Sequence, residues 1–110
     1  MANILSIAGS DPTGLAGIQA DLDVIHQMRH RPFTAITSVT AQNDRRVYSV
    51  NGVDTKVLKD QLSALFEEHS FDAVKIGLLV SRELTYQVYR ILEAAGGGLI
   101  YPQEGIWRAC

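Results

Sequence analysis

The strongest constraint on what this chain can fold into is the passage from Asn3-Ile4-Leu5-Ser6-Ile7-Ala8 into Gly9-Ser10-Asp11-Pro12-Thr13-Gly14-Leu15-Ala16-Gly17. A short apolar run bounded by glycine reads as a buried strand. Ile18, Leu22 and Ile25 then recur at helical spacing, with Asp21 and Asp23 near the start, so a helix is expected over about 17–30, stopping before Pro32. A glycine-rich loop between strand and helix lets the backbone approach a small ligand closely. The helix start behind it presents unpaired N–H groups.

The alternation continues. Phe33 to Thr40 is rich in Thr, Ile and Val and reads as a second buried strand. Gln42-Asn43-Asp44-Arg45-Arg46 is polar and loop-like, and Val47 to Val50 is a short strand candidate. Leu58, Leu62, Leu65 and Phe66 define an amphipathic helix over about 55–69, with Asp54 or Thr55 as its cap. A third main strand is expected from Phe71 to Leu79, ending at Gly77, and a third helix from Ser81 to Ala95, ended by Gly96-Gly97-Gly98. Strands alternating with helices predict an α/β fold, a three-layer α/β/α arrangement around a mostly parallel sheet. Ligands in such folds bind at the carboxyl ends of the strands, which here means the loops after Ala8, Thr40 and Ile76.

Composition narrows the function classes. The formal net charge of −2 over 110 residues, with no gathering of basic residues, argues against nucleic acid. No apolar run approaches the roughly 18 residues of a membrane helix, and no basic segment precedes the first apolar run as in a signal peptide. The one cysteine, Cys110, has no partner for an internal disulfide or a metal site. The expectation is a cytoplasmic protein with no membrane and no nucleic-acid partner.

The chemistry-bearing residues each have a plain reading beside a functional one. Gly9, Gly14 and Gly17 serve either a ligand loop or a simple turn. The Gly9-to-Gly14 spacing fits part of a phosphate-binding P-loop, but Leu15 and Ala16 stand where Lys and Ser or Thr are required, and the dinucleotide fingerprint lacks its spacing too. Asp21 either offsets the helix dipole or orients a ligand hydroxyl. Gln42 and Asn43 follow a buried strand, where a carboxamide presents donor and acceptor together to a heteroaromatic edge; Asn43 alternatively caps the loop. Lys75, inside an apolar strand, either snorkels to the rim or pairs with a carboxylate or phosphate. His26 and His30 have the spacing of a zinc pair but read as surface histidines, and no metal site is expected.

Three segments, Ile7 to Leu22, Ala35 to Asn43 and Asp72 to Leu79, together resemble the hydroxymethylpyrimidine and phosphomethylpyrimidine kinases of thiamine biosynthesis, members of the ribokinase-like group. Ala8-Gly9-Ser10-Asp11-Pro12, Ala16-Gly17-Ile18-Gln19-Ala20-Asp21 and Thr40-Ala41-Gln42-Asn43 carry the likeness, which extends over about residues 3–95. Pyridoxal kinases are the relatives most easily confused with it. The resemblance implies an ATP- and magnesium-dependent kinase acting on 4-amino-5-hydroxymethyl-2-methylpyrimidine or its monophosphate. Carried over by motif, Gly9, Ala16 and Thr40 contact the pyrimidine through backbone or small side chains. Gln42 bonds its amino group and ring nitrogen, Asp21 lies near its hydroxymethyl group, and Leu78, where the family often has Met, lines the ring face.

The sequence also departs from the family. Leu15 and Arg46 replace usual glycines, and Tyr101 falls where a strand ending in Asp-Pro is usual. The expected organisation is therefore a partial kinase domain over 1–98, the N-terminal half of a ribokinase-like fold, followed by a divergent tail over 99–110. Family members are roughly twice this length, and their second half holds the ATP and magnesium site and the catalytic residue. No catalytic residue is therefore assigned in this chain, which by itself is expected not to turn over and, with half a sheet uncovered, to self-associate. A truncated or frameshifted remnant, a pyrimidine-binding module and a pyridoxal kinase-like fragment are the alternatives.

Overall fold

The computed structural model describes residues 1–95, 97–101 and 106–109, with side chains through Ala95. Gly96, Pro102 and Cys110 lie outside the described residues, as do the side chains of Tyr101 and Trp107. In chain order the elements are β1 (Asn3–Ser10), α1 (Gly17–Gln27), β2 (Arg31–Gln42), β3 (Val47–Gly52), α2 (Thr55–Glu68), β4 (Ala73–Ile76), α3 (Arg82–Ala94), β5 (Gly97–Tyr101) and β6 (Ile106–Ala109). They form one sheet in the order β3-β2-β1-β4-β6-β5. The central strands β2, β1 and β4 are parallel, whereas β3 and the β6-β5 pair join antiparallel at the two margins. The fold is α/β, with a parallel centre and antiparallel flanks.

Register decides which side chains share a face. Leu5 lies opposite both Phe33 and Val74, and Ile7 opposite Ala35 and Ile76. This face packs on Leu58 and Leu62 of α2 and on Leu84, Val88 and Leu92 of α3 to form the main core. Leu58 and Leu62 are fully buried, and truncating either to Ala costs about 2–5 kcal/mol. The other face carries Ser6 and Ala8, together with Lys75, the register partner of Ser6; α1 covers it with Ile18 and Ile25. Helices on both faces make the three layers.

Several boundaries differ from expectation for identifiable reasons. Helix α1 stops at Gln27, not at residue 30, because Arg29 turns left-handed with φ 62°. The Arg29 N–H bonds the His26 carbonyl and the His30 N–H bonds that of Ile25, a Schellman closure without its usual glycine. His26 and His30 therefore do not share a helix face, and His30 Nδ1 accepts the Ala2 N–H at 3.0 Å. Strand β4 begins after Phe71, whose ring packs edge-on against Phe33 and Phe66 at 5.0 and 5.3 Å. Strand β2 runs on to Gln42, so Gln42 belongs to the strand end and pairs with Val47.

Where β3 no longer covers the outer edge of β2, a side chain does so. The Gln61 amide accepts the Ile36 N–H at 2.8 Å and donates to its carbonyl at 2.9 Å. Both backbone groups would otherwise lack a partner at the sheet's flank. Among the described residues no helix is long and apolar enough to cross a membrane.

Candidate functional site

The carboxyl ends of β1, β2 and β4 open onto a cavity of about 260 Å³. Ala8, Gly9 and Ser10 line it from the end of β1 and Asp11 from the loop beyond, and Ala16 and Gly17 line it from the cap and first residue of α1. Thr40 and Gln42 line it from β2, and Lys75, Gly77 and Leu78 from β4 and the turn beyond.

The loop after β1 is built around Asp11. Its carbonyl accepts the Gly14 N–H at 3.0 Å, making a turn with Pro12 and Thr13 at its centre. One carboxylate oxygen accepts the Thr13 N–H at 2.9 Å and the Thr13 hydroxyl at 2.8 Å; the other accepts the Ala16 N–H at 3.0 Å. The Thr13 N–H is the largest influence holding the Asp11 carboxyl below its ordinary pKa, and it prevails over burial, which pushes the other way. Gln19 reaches back from α1, accepting the Asp11 N–H at 2.8 Å and donating to Ser10 Oγ at 2.7 Å. Gly17 has φ 64°, and a Cβ there would strike the Gly9 carbonyl, so only glycine lets helix and strand meet this closely. Leu15, which stands where the family usually has glycine, fits the loop without strain: Arg29 alone among described non-glycine residues has positive φ, and Leu15 is 75% exposed.

On the β2 side, Thr40 Oγ1 donates to the Ser10 carbonyl at 2.7 Å and accepts from Gln42 Nε2 at 2.8 Å. Asn43 takes the capping role, its side-chain oxygen accepting the N–H groups of Arg45 and Arg46 at 2.9 and 3.1 Å. On the β4 side, buried Thr37 donates to the Leu78 carbonyl at 2.7 Å and fixes the turn that carries Leu78.

Of the residues singled out by sequence, Gly9, Ala16, Thr40, Gln42 and Leu78 line this one cavity. Asp21 does not. Its carboxylate accepts the Ser6 hydroxyl at 2.6 Å and Lys75 Nζ at 2.7 Å, and it lines a neighbouring pocket with Val24, Ile25 and Met28. Lys75, bonded to Asp21, lines both cavities. Of the two readings left open for Lys75, pairing with a carboxylate is the one observed. Asp11 and Gln19 stand in the motifs that carry the resemblance but have no role assigned from sequence, and Thr37 has none either; Asp followed by Pro-Thr-Gly is a turn signal that marks the first.

Comparison with known proteins places this geometry in a family. The family model described as phosphomethylpyrimidine kinase matches residues 11–100. The chain is 39% identical over 92 residues to the hydroxymethylpyrimidine/phosphomethylpyrimidine kinase of Bacillus subtilis (strain 168), covering 84% of this chain and 34% of that protein. The crystal structure of phosphomethylpyrimidine kinase from Clostridium difficile 630 superposes with a TM-score of 0.84 at 38% identity, over 86% of this chain and 41% of the other. A Bacillus subtilis pyridoxal kinase, solved as an ADP complex, superposes with a TM-score of 0.80 at 30% identity, over 86% of this chain and 38% of the other. The chain spans about a third of the length of the Bacillus subtilis kinase and 10% of that of a multifunctional thiamine biosynthesis protein of Corynebacterium glutamicum.

Proposed function

Since the chain belongs to the phosphomethylpyrimidine kinase family, we propose that it forms the pyrimidine-binding part of an ATP-dependent kinase. Its substrate in this reading is 4-amino-5-hydroxymethyl-2-methylpyrimidine or the corresponding monophosphate, in a cytoplasmic step of thiamine biosynthesis. The observation that carries the reading is the Gln42 amide at the carboxyl edge of the sheet, held against Thr40 beside a cavity bounded by Gly9, Ala16 and Leu78. With one Nε2 hydrogen committed to Thr40, the second hydrogen and Oε1 have no other partner among the described residues and can meet a ring nitrogen and its adjacent amino group. Gly9 and Ala16 keep side-chain bulk away from the ring, and Leu78 offers an apolar surface to its face.

ATP and magnesium belong to the reaction of the whole kinase. Among the described residues no group of three His, Cys, Asp or Glu side chains converges to hold a cation, and the loop after β1 lacks the lysine of a P-loop. The cavity's lining suits the pyrimidine, and in this reading the chain's part is to bind and orient the acceptor.

Calorimetric titration of the 110-residue chain with the hydroxymethylpyrimidine tests this reading, with pyridoxal as the competing ligand. The expected result is saturable binding favouring the pyrimidine, weakened about tenfold or more by Gln42→Ala. No binding, or binding indifferent to Gln42→Ala, would reject it. ATP-dependent phosphate incorporation by this chain alone, above a Gln42→Ala control, would reject the division of roles.

A further inference from the structure

We infer that Lys75, and not Asp21, donates the hydrogen bond to the oxygen carried on the ligand's exocyclic methylene, with Asp21 and Ser6 as positioning residues. The inference deepens the pyrimidine-binding reading and rests on it.

Among the described residues, Asp11 and Lys75 are the charged side chains that line the cavity. The Asp11 oxygens are already engaged by Thr13 and by the Ala16 N–H. Those of Asp21 are engaged by Ser6 and Lys75. Lys75 differs from both: an ammonium offers three donors, and among the described residues Asp21 is its one hydrogen-bond partner. Its side chain is 43% exposed against 13% for Asp21, so the lysine and not the carboxylate is the accessible member of the pair.

The support beneath Lys75 is rigid. Ser6 and Lys75 are register partners on adjacent strands, and both grip the same carboxylate on α1. Ser6 is fully buried. This fixes where the remaining Nζ hydrogens sit. Strands β2 and β4 flank β1, and Gln42 and Lys75 line the same cavity from these two strands, Gln42 from the outer end of β2 and Lys75 from deeper along β4. A ring held by Gln42 through its amino edge thus carries its neighbouring oxygen substituent toward Lys75. Because Asp21 neutralises the ammonium, the pair favours an oxygen acceptor without requiring an anion.

The test titrates the full chain with 4-amino-5-hydroxymethyl-2-methylpyrimidine and with 4-amino-2,5-dimethylpyrimidine, which lacks the oxygen. The wild-type chain is expected to prefer the alcohol by about tenfold or more. Lys75→Met should reduce that preference to within about twofold while leaving the dimethyl ligand's affinity unchanged. Lys75→Gln, one bond shorter, keeps a tie between α1 and β4 through Asp21 but draws its second amide hydrogen back from the cavity, and should do the same. A merely structural lysine would weaken both ligands equally, and that outcome overturns the inference, as does a wild-type chain with no preference. Failure of both variants to melt cooperatively would mark Lys75 as structural, with the same consequence. Binding of neither ligand by the wild type would remove the pyrimidine reading itself, and this inference with it.

Discussion

Thr40 accepts a hydrogen bond from Gln42 Nε2 at 2.8 Å, and this contact decides which way round the Gln42 amide faces. The Thr40 hydroxyl has one hydrogen, which it gives to the Ser10 carbonyl at 2.7 Å. It can therefore only accept from Gln42, so the amide must present its nitrogen to Thr40 and its oxygen elsewhere. Thr40→Val keeps the shape and removes the lock. Pyrimidine affinity should fall about fivefold, with Thr40→Ser restoring most of it, as read by calorimetry. Equal affinity for Thr40→Val and wild type would contradict the lock.

Asp11 should make the loop sensitive to acid. Its pKa is lowered chiefly by the Thr13 N–H, so the ionised form is the one that stabilises the folded loop. That stabilisation is complete above the ordinary value of 3.8 and is lost as pH falls through the lower folded-state value. Thermal melts should show the wild-type Tm dropping more steeply below pH 3.8 than that of Asp11→Asn, whose Tm is lower at neutral pH. Parallel profiles would exclude Asp11 as the cause.

Gly9 and Ser38 should be energetically coupled. A Cβ on Gly9 would lie 2.5 Å from Ser38 Oγ, a buried hydroxyl with no hydrogen-bond partner among the described residues. Gly9→Ala alone should destabilise the chain, whereas Ser38→Ala alone should be neutral or stabilising because it removes an unsatisfied group. In the double variant the Gly9→Ala cost should shrink, with a coupling of about 1 kcal/mol or more in denaturant unfolding. Strictly additive effects would show that the two side chains do not compete for this space.

At the end of α1, Arg29→Gly should stabilise. The exposed Arg29 occupies the left-handed region at φ 62°, which costs an L-residue about 1–2 kcal/mol. Glycine avoids most of that but loses more entropy on folding. The expected net gain is about 0.5–1 kcal/mol, with pyrimidine binding unchanged. A lower unfolding midpoint would mean that Arg29 makes a compensating contribution.

The outer strand β3 should promote self-association. It lies at the sheet's edge and is exposed along its whole length, with Val47, Tyr48 and Val50 prominent. Free edge backbone beside apolar side chains is a template for pairing with another chain. Sedimentation velocity should show association rising with concentration, and Val50→Lys should shift the chain toward monomer. A wild-type monomer across the concentration range would refute this.

Much of the architecture was legible because it is written in local patterns. Leu5 and Ile7 at period two, Leu58 and Leu62 at helical spacing, and glycines between strand and helix each report a conformation within a few residues. The rule that ligands gather at the carboxyl edge of such sheets brings Gly9, Thr40 and Gln42 to one place from the sequence alone. What tertiary structure alone decided are choices between partners distant in sequence. Lys75 could snorkel or pair until β4 settled beside β1, which brought it to Asp21, 54 residues earlier in the chain. The same pairing withdrew Asp21 from the cavity and left Lys75 in its wall. The antiparallel margins likewise depend on which strand finds a free edge, and Gln61 closes the edge of β2 from a helix 25 residues away. Periodicity within one segment determines how that segment folds and which face it buries. The partner of a polar group is chosen by the cost of leaving that group unsatisfied once the layers have closed.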